Sequence, residues 1–164
     1  MNKIGFMQGR LSPLVNNQIQ AFPFDNWSYE FESAELLGLS CMEWTLDYPK
    51  LHTNPLLIRT NKDQILSLCK RHKITIPSIT LDCCMQRPFW KFKDKKILKD
   101  LIQDLKLIIN SASSIGAKIL VIPLVDNGSI NERSEFKILK NTIFSLNELL
   151  IDKDIKIAFE SDYE

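Results

Sequence analysis

A chain of 164 residues, 45% hydrophobic and 25% charged, has the size and composition of one globular domain. A formal net charge of +1 removes the electrostatic case for a nucleic-acid or anionic-membrane partner. No apolar run reaches the roughly 18 residues of a membrane span; Met1-Asn2-Lys3 leads straight into a strand-like stretch with no signal-type apolar core, so a cytoplasmic location is expected.

In chain order, the first strand is expected over Lys3 to Met7, followed by a loop rich in Gly, Pro, Asn and Gln. Asp25 or Asn26 can cap the first helix, because their side-chain oxygens accept from free backbone N–H groups. Trp27, Phe31, Ala34 and Leu37 then recur at helical spacing, and Gly38 supplies a left-handed stop. The second strand is Cys41 to Thr45. A loop through Pro49 and Asn54-Pro55 leads to a second helix near Lys62 to His72, with Ile65, Leu68, Cys69 and His72 on its inner face. His72, at the helix end, reads as a dipole partner and not as a ligand.

The third strand is Ile74 to Thr80, although Pro77 is unusual inside a central strand. The loop Gln86-Arg87-Pro88-Phe89-Trp90 follows. The third helix carries the stripe Leu98, Leu101, Ile102, Leu105, Ile108, Ile109 and Ala112 and stops at Gly116. The fourth strand, Lys118 to Pro123, is a continuous apolar run of the kind found in sheets buried on both faces. Ser129-Ile130-Asn131-Glu132 fits a capping box for a fourth helix with the stripe Phe136, Leu139, Ile143, Leu146 and Leu150. The fifth strand is Ile155 to Glu160.

Strand–helix units recurring every 33 to 44 residues imply a parallel sheet clad by helices: a partial (β/α)8 TIM barrel of about five parallel strands and four helices, as a single domain over residues 1–164. A full barrel takes about 250 residues, so three units are expected to be missing after strand five. The four cysteines, Cys41, Cys69, Cys83 and Cys84, form no C-x-x-C pair and read as structural thiols. The vicinal Cys83-Cys84 pair, at a strand end, could be exposed.

Active sites of parallel barrels lie at the C-terminal ends of the strands. Strand one delivers Gln8, Gly9 and Arg10 there. Strand two delivers Glu43, Trp44 and Asp47, strand three Thr80 and Asp82, strand four Asp126 and Asn127, and strand five Glu160 with Asp162 beyond. Asp82, Asp126 and Asn127 are also residue types that form turns. Glu43 and Glu160 end apolar strands, where an unpaired charge is costly, so a cation, an Arg or a metal is expected beside each. The chain has no Gly-rich phosphate loop and no G-x-S-x-G elbow, and its only histidines are His52 and His72.

The chain resembles the sugar phosphate isomerase/epimerase family, the xylose-isomerase-like barrels. The residues that carry the resemblance are Ile4-Gly5-Phe6-Met7-Gln8-Gly9-Arg10-Leu11-Ser12-Pro13, Phe22-Pro23-Phe24-Asp25-Asn26-Trp27 with Glu30-Phe31 and Gly38, and Met42-Glu43-Trp44 with Asn54-Pro55-Leu56-Leu57. Leu81-Asp82 through Arg87-Pro88, Val121-Ile122-Pro123 through Asp126-Asn127, and Ile157-Ala158-Phe159-Glu160 continue it in order. The resemblance covers the first five eighths of a family member. It implies a divalent metal (Mn, Mg, Co or Zn) held by Glu, Asp, His and Glu from strands five to eight, and proton transfer next to a carbonyl through an enediolate. By position, Glu160 is the first metal ligand and a candidate catalytic base, and Glu43, Trp44, Asp82 and Asp126 line the pocket for a sugar or sugar phosphate. The later ligands have no counterpart, so the chain alone is expected to be inactive. Its alternatives are a subunit completed by a second chain or a non-catalytic sugar-binding module. A DNA-repair endonuclease of the same superfamily is disfavoured, because it would call for early-strand histidines and a basic face.

Overall fold

The computed structural model describes residues 4–15, 17–18, 21–48 and 50–162. The described residues form strands β1 Gly5–Met7, β2 Cys41–Thr45, β3 Thr75–Thr80, β4 Ile119–Pro123 and β5 Lys156–Glu160. Between them lie helices α1 Tyr29–Leu36, α2 Lys62–His72, α3 Asp82–Gln86, α4 Lys95–Ser114, α5 Arg133–Ser145 and α6 Asn147–Asp152. The sheet order is β1-β2-β3-β4-β5 with every neighbouring pair parallel. This is the partial α/β barrel that the strand–helix repeat predicts. Lys3, the expected start of strand one, lies outside the described residues.

Alternation along the strands separates two faces. Met42, Trp44, Leu46, Ile79, Leu81, Leu120 and Ile122 turn outward and are buried beneath the helices with Phe31, Ile65, Leu105 and Ile108. The other face is concave and open. Cladding is thin at β5, where outward-facing Phe159 is 51% exposed.

Pro77 is accommodated by a register shift. Cys41 pairs with Thr75 and Glu43 with Ser78, so β3 carries one residue more than β2 across this interval. Pro77 sits in that irregularity, and its carbonyl still accepts from the Lys118 N–H at 2.9 Å.

Helix boundaries depart from the sequence pattern in several places. The first helix begins at Tyr29, after a run of turns through Asn26, and neither Asp25 nor Asn26 is its N-cap. Leu37 caps its C-terminus and is 65% exposed, so it is not part of the buried stripe. The capping box lies three residues later than Ser129 predicts, with Glu132 as N-cap and Glu135 as its reciprocal partner. What reads as one fourth helix is broken at Leu146 into α5 and α6, and Phe136, expected in the buried stripe, is 54% exposed. The segment after β3, expected as loop, opens with the short α3.

Candidate functional site

Register aligns the concave face into rows. One runs Met7, Glu43, Ser78, Ile119, Lys156; the next runs Thr45, Thr80, Val121, Ala158; Pro123 and Glu160 end the last. Glu43 is half-buried in the lower row, and its Oε2 accepts from Ser78 Oγ at 2.6 Å. A neutral hydroxyl, and not a cation, is thus its recorded side-chain partner. Glu160 ends β5 and is exposed; its backbone carbonyl accepts from the Leu124 N–H at 2.7 Å, which ties the strand end to the β4 loop.

Asp82 is buried at the first position of α3, where Thr80 Oγ1 donates to its Oδ1 at 3.3 Å. Asp126 lies at the surface in a turn over Asp126–Gly128, with φ of 48°. That left-handed backbone is one that Asp tolerates better than most residues, and it makes Asp126 a turn former as well as a rim carboxylate. Gly128 is required there, because a Cβ would meet the Pro123 carbonyl oxygen at 2.6 Å. Asn127 Nδ2 donates to the carbonyls of Met85 and Gln86, and so pins this turn to α3.

Trp44 does not line the concave face. It is odd against Glu43 in the strand alternation, so its ring turns outward and packs fully buried against Phe22 and Trp27 at centroid distances of 5.5 and 5.7 Å. Its Nε1 donates to Asn54 Oδ1 at 3.0 Å, and Asn54 Nδ2 donates to the Thr45 carbonyl at 3.2 Å. Trp44 therefore positions the loop after β2.

Three further residues, Glu30, Gln8 and Asp47, have structural roles that the sequence reading did not assign to them. Glu30, on α1, is 1% exposed and accepts from the backbone N–H groups of Gly9 and Leu11, fixing the loop after β1. The signal for it was a carboxylate inside the apolar stripe of Trp27, Phe31 and Ala34. Gln8 is fully buried; its Oε1 accepts from the Thr45 N–H at 3.3 Å, while its Nε2 has no partner among the described residues. Asp47 links two loops, with Oδ2 accepting from the Phe22 N–H and Oδ1 from Gln86 Nε2, at 2.6 and 2.8 Å. Around this link opens a cleft of about 490 Å³ lined by Ala21, Phe24, Asp47, Tyr48, Lys50 and Gln86.

The thiols take no part. Cys83 and Cys84 are buried, contrary to the exposure that a strand end allows, because α3 folds them beneath the loops. The hydrogen bond that the Cys83 S–H shares with Cys84, together with burial, raises the Cys83 thiol well above its ordinary range, and burial pushes Cys69 up to about 11. His52 pairs with Asp104 at 3.3 Å, and His72 with Glu35 at 2.8 Å, both remote from the concave face. Among the described residues no group of three His, Cys, Asp or Glu could hold a metal ion, and no helix is long and apolar enough to cross a membrane.

No family model matches the sequence, and no curated protein does. Solved structures do match in fold. A D-psicose 3-epimerase crystallised in the presence of D-fructose superposes with a TM-score of 0.70 at 8% identity, over 94% of this chain and 50% of that one. The IOLI protein with a bound zinc atom gives 0.63 at 16% identity, over 96% and 51%. A xylose isomerase-like TIM barrel protein from Mycobacterium smegmatis, in complex with magnesium, gives 0.62 at 13% identity, over 99% and 55%. The chain thus has the xylose isomerase-like TIM-barrel fold and spans about half the length of the structures it matches.

Proposed function

We propose that this chain carries one part of a sugar isomerase or epimerase site, and that the 164 residues alone do not turn over substrate. The supporting observation is the placement of Glu160. It stands at the C-terminal end of β5, where barrel chemistry is done, and among the described residues no group of three His, Cys, Asp or Glu could hold a metal ion. In this reading Glu160 is the base that takes a proton from the carbon beside a sugar carbonyl, leaving an enediolate. Glu43, with Ser78, and Asp82, with Thr80, form the wall of the sugar pocket; Asp126 lies at its rim, and Trp44 positions the neighbouring loop. A divalent ion such as Mn²⁺, Mg²⁺, Co²⁺ or Zn²⁺ does not fit the described residues, since one carboxylate cannot fix its geometry. Such an ion would require ligands from a completing chain or from residues beyond these.

Sugar binding without catalysis is favoured by one separate observation: the described residues already form a cleft of about 490 Å³ beside Phe24, Asp47 and Gln86. Calorimetry with free and phosphorylated ketohexoses, run beside an epimerisation assay with and without Mn²⁺, tests both readings. Heat of binding without turnover supports them. Turnover above that of a Glu160→Gln control sinks the claim of inactivity, and no binding of any sugar in either form removes the sugar reading.

A further inference from the structure

Asn127-Gly128 is the only Asn-Gly pair in the chain. Asparagine is a thermolabile residue, and it is most so before glycine, because no side chain shields the following backbone nitrogen. In deamidation the Gly128 nitrogen, having lost its proton, attacks the side-chain carbonyl carbon of Asn127. A C–N bond forms, ammonia leaves with the Nδ2 nitrogen, and water then opens the cyclic imide to aspartate or isoaspartate.

Packing dictates both halves of this pair. Gly128 is buried, and a Cβ on it would meet the Pro123 carbonyl oxygen at 2.6 Å and the Met85 Cα at 3.2 Å. Asn127 Nδ2 donates to the Met85 carbonyl at 3.0 Å and to the Gln86 carbonyl at 3.2 Å. Two acceptors face the amide, so the position calls for a donor; an aspartate, which only accepts, would set its charge against both carbonyls. The same contacts oppose the reaction. The Gly128 N–H, which must lose its proton, donates to the Val125 carbonyl at 2.8 Å, and the Ser129 N–H donates to the Asp126 carbonyl at 3.1 Å. The nitrogen that must leave is the one tied to α3.

We propose that Asn127 is a deamidation site latched by the native turn. The reaction is closed while the β4 loop is docked on α3 and opens when the turn detaches. It then makes the detachment permanent, because the product has no donor for the two carbonyls. The effect reaches beyond the turn. α3 ends at Gln86, whose Oε1 accepts from the Tyr48 N–H at 2.6 Å and whose Nε2 donates to Asp47 Oδ1 at 2.8 Å. A freed α3 end therefore loosens the loop after β2. All of these partners lie between Asp47 and Ser129, none of them on β5. The proposal does not depend on any sugar being bound.

Peptide mapping by mass spectrometry, with fragmentation that separates isoaspartate from aspartate, follows residue 127 of the full chain in mildly alkaline buffer, folded and in urea. The rate should be about tenfold or more lower in the folded chain, where only local opening exposes the pair. Gln86→Ala keeps the Asn-Gly pair but releases α3 from Asp47 and Tyr48, and should raise the folded rate about threefold or more. Asn127→Asp supplies the product directly, and hydrogen exchange should show the Gly128 and Tyr48 N–H groups losing protection by about tenfold and threefold. Circular dichroism checks that each variant is folded; where Asn127→Asp is not, Asn127→Ala removes the donors without adding charge and gives the same readout. A folded rate within about threefold of the unfolded rate overturns the latch, as does a folded Gln86→Ala chain that reacts no faster than wild type. Unchanged exchange at Gly128 overturns the claim that the product frees the turn, and unchanged exchange at Tyr48 the claim that it reaches the loop after β2.

Discussion

The Glu30 carboxylate accepts from the Gly9 backbone N–H through both oxygens, at 3.0 Å each, across 21 residues of sequence. Oε1 also accepts from Leu11. Gly9 has φ of +91°, and a Cβ there would meet the Ala21 carbonyl oxygen at 2.5 Å. The loop after β1 is therefore shaped by a glycine that alone fits the turn and by a buried carboxylate that satisfies its donors. Glu30→Ala leaves the buried Gly9 N–H and the part-buried Leu11 N–H without the carboxylate, at about 1–3 kcal/mol for a buried donor left unpaired. Gly9→Ala should destabilise comparably. Urea unfolding of both variants checks this, and a loss under about 0.5 kcal/mol in both would show that water replaces the carboxylate.

Burial raises Glu30 above its ordinary 4.5, against hydrogen bonds from Gly9, Leu11 and Ser12 that pull it down. The folded chain thus holds this proton more tightly than the unfolded chain does. The resulting stability is fully present below about 4.5 and is lost as pH rises through the higher folded value. Burial raises Asp104 too, offset by His52 and Arg87, and it acts in the same sense. Glu30→Gln lacks the titration, so wild-type stability relative to this variant should decline as pH rises from about 4.5. Unfolding free energies of the pair at a series of pH values test it; a gap that widens with pH would reverse the sign.

Much of this was legible because local chemistry decided it. β2 and α2 take the expected bounds, Cys41–Thr45 and Lys62–His72, since an apolar run and a stripe between punctuating residues need no distant information. α1 departs because Trp27, which begins the helical spacing, is drawn into a turn by packing on Trp44. The site was legible only as a position, the strand ends. Its partners were not: Glu43 meets Ser78 across 35 residues, and Glu30 meets Gly9 across 21, pairings that strand order creates and sequence spacing does not announce. The side on which Trp44 falls follows from strand parity, once Glu43 is placed inside.

Asn54 is the hub of the loop after β2. It accepts from Trp44 Nε1 and from the Leu56 N–H, and it donates to the Thr45 carbonyl, all while buried. Asn54→Ala orphans three polar groups, and should cost about 3 kcal/mol. Trp44→Phe removes one donor and leaves a void, which should cost about 1–3 kcal/mol. Because both changes act on the same hydrogen bond, the double variant should lose less than the two added together. A double-mutant cycle that is additive would show that Trp44 and Asn54 do not act through their contact.

The ends of the helices offer a stabilising change. α1 and α4 stop near Gly38 and Gly116, with φ of +71° and +86°, whereas α2 stops at Lys73 with φ of 56°. A left-handed residue with a side chain costs roughly 1–2 kcal/mol, and glycine gives back part of that through its freer unfolded state. Lys73→Gly should therefore stabilise by about 0.5 kcal/mol, raising Tm by roughly 1–2 °C in a domain of this size. Lys73 is exposed, and its backbone N–H, which donates to Cys69, is kept by the substitution. Gly38→Ala is the counterpart: nothing lies within 4 Å of an added Cβ there, so its expected loss of about 1 kcal/mol measures backbone strain alone. Scanning calorimetry of the two variants is the check. A gain at position 73 with a loss at position 38 places the energy in the left-handed backbone, whereas a loss at both means that the Lys73 side chain holds the end of α2.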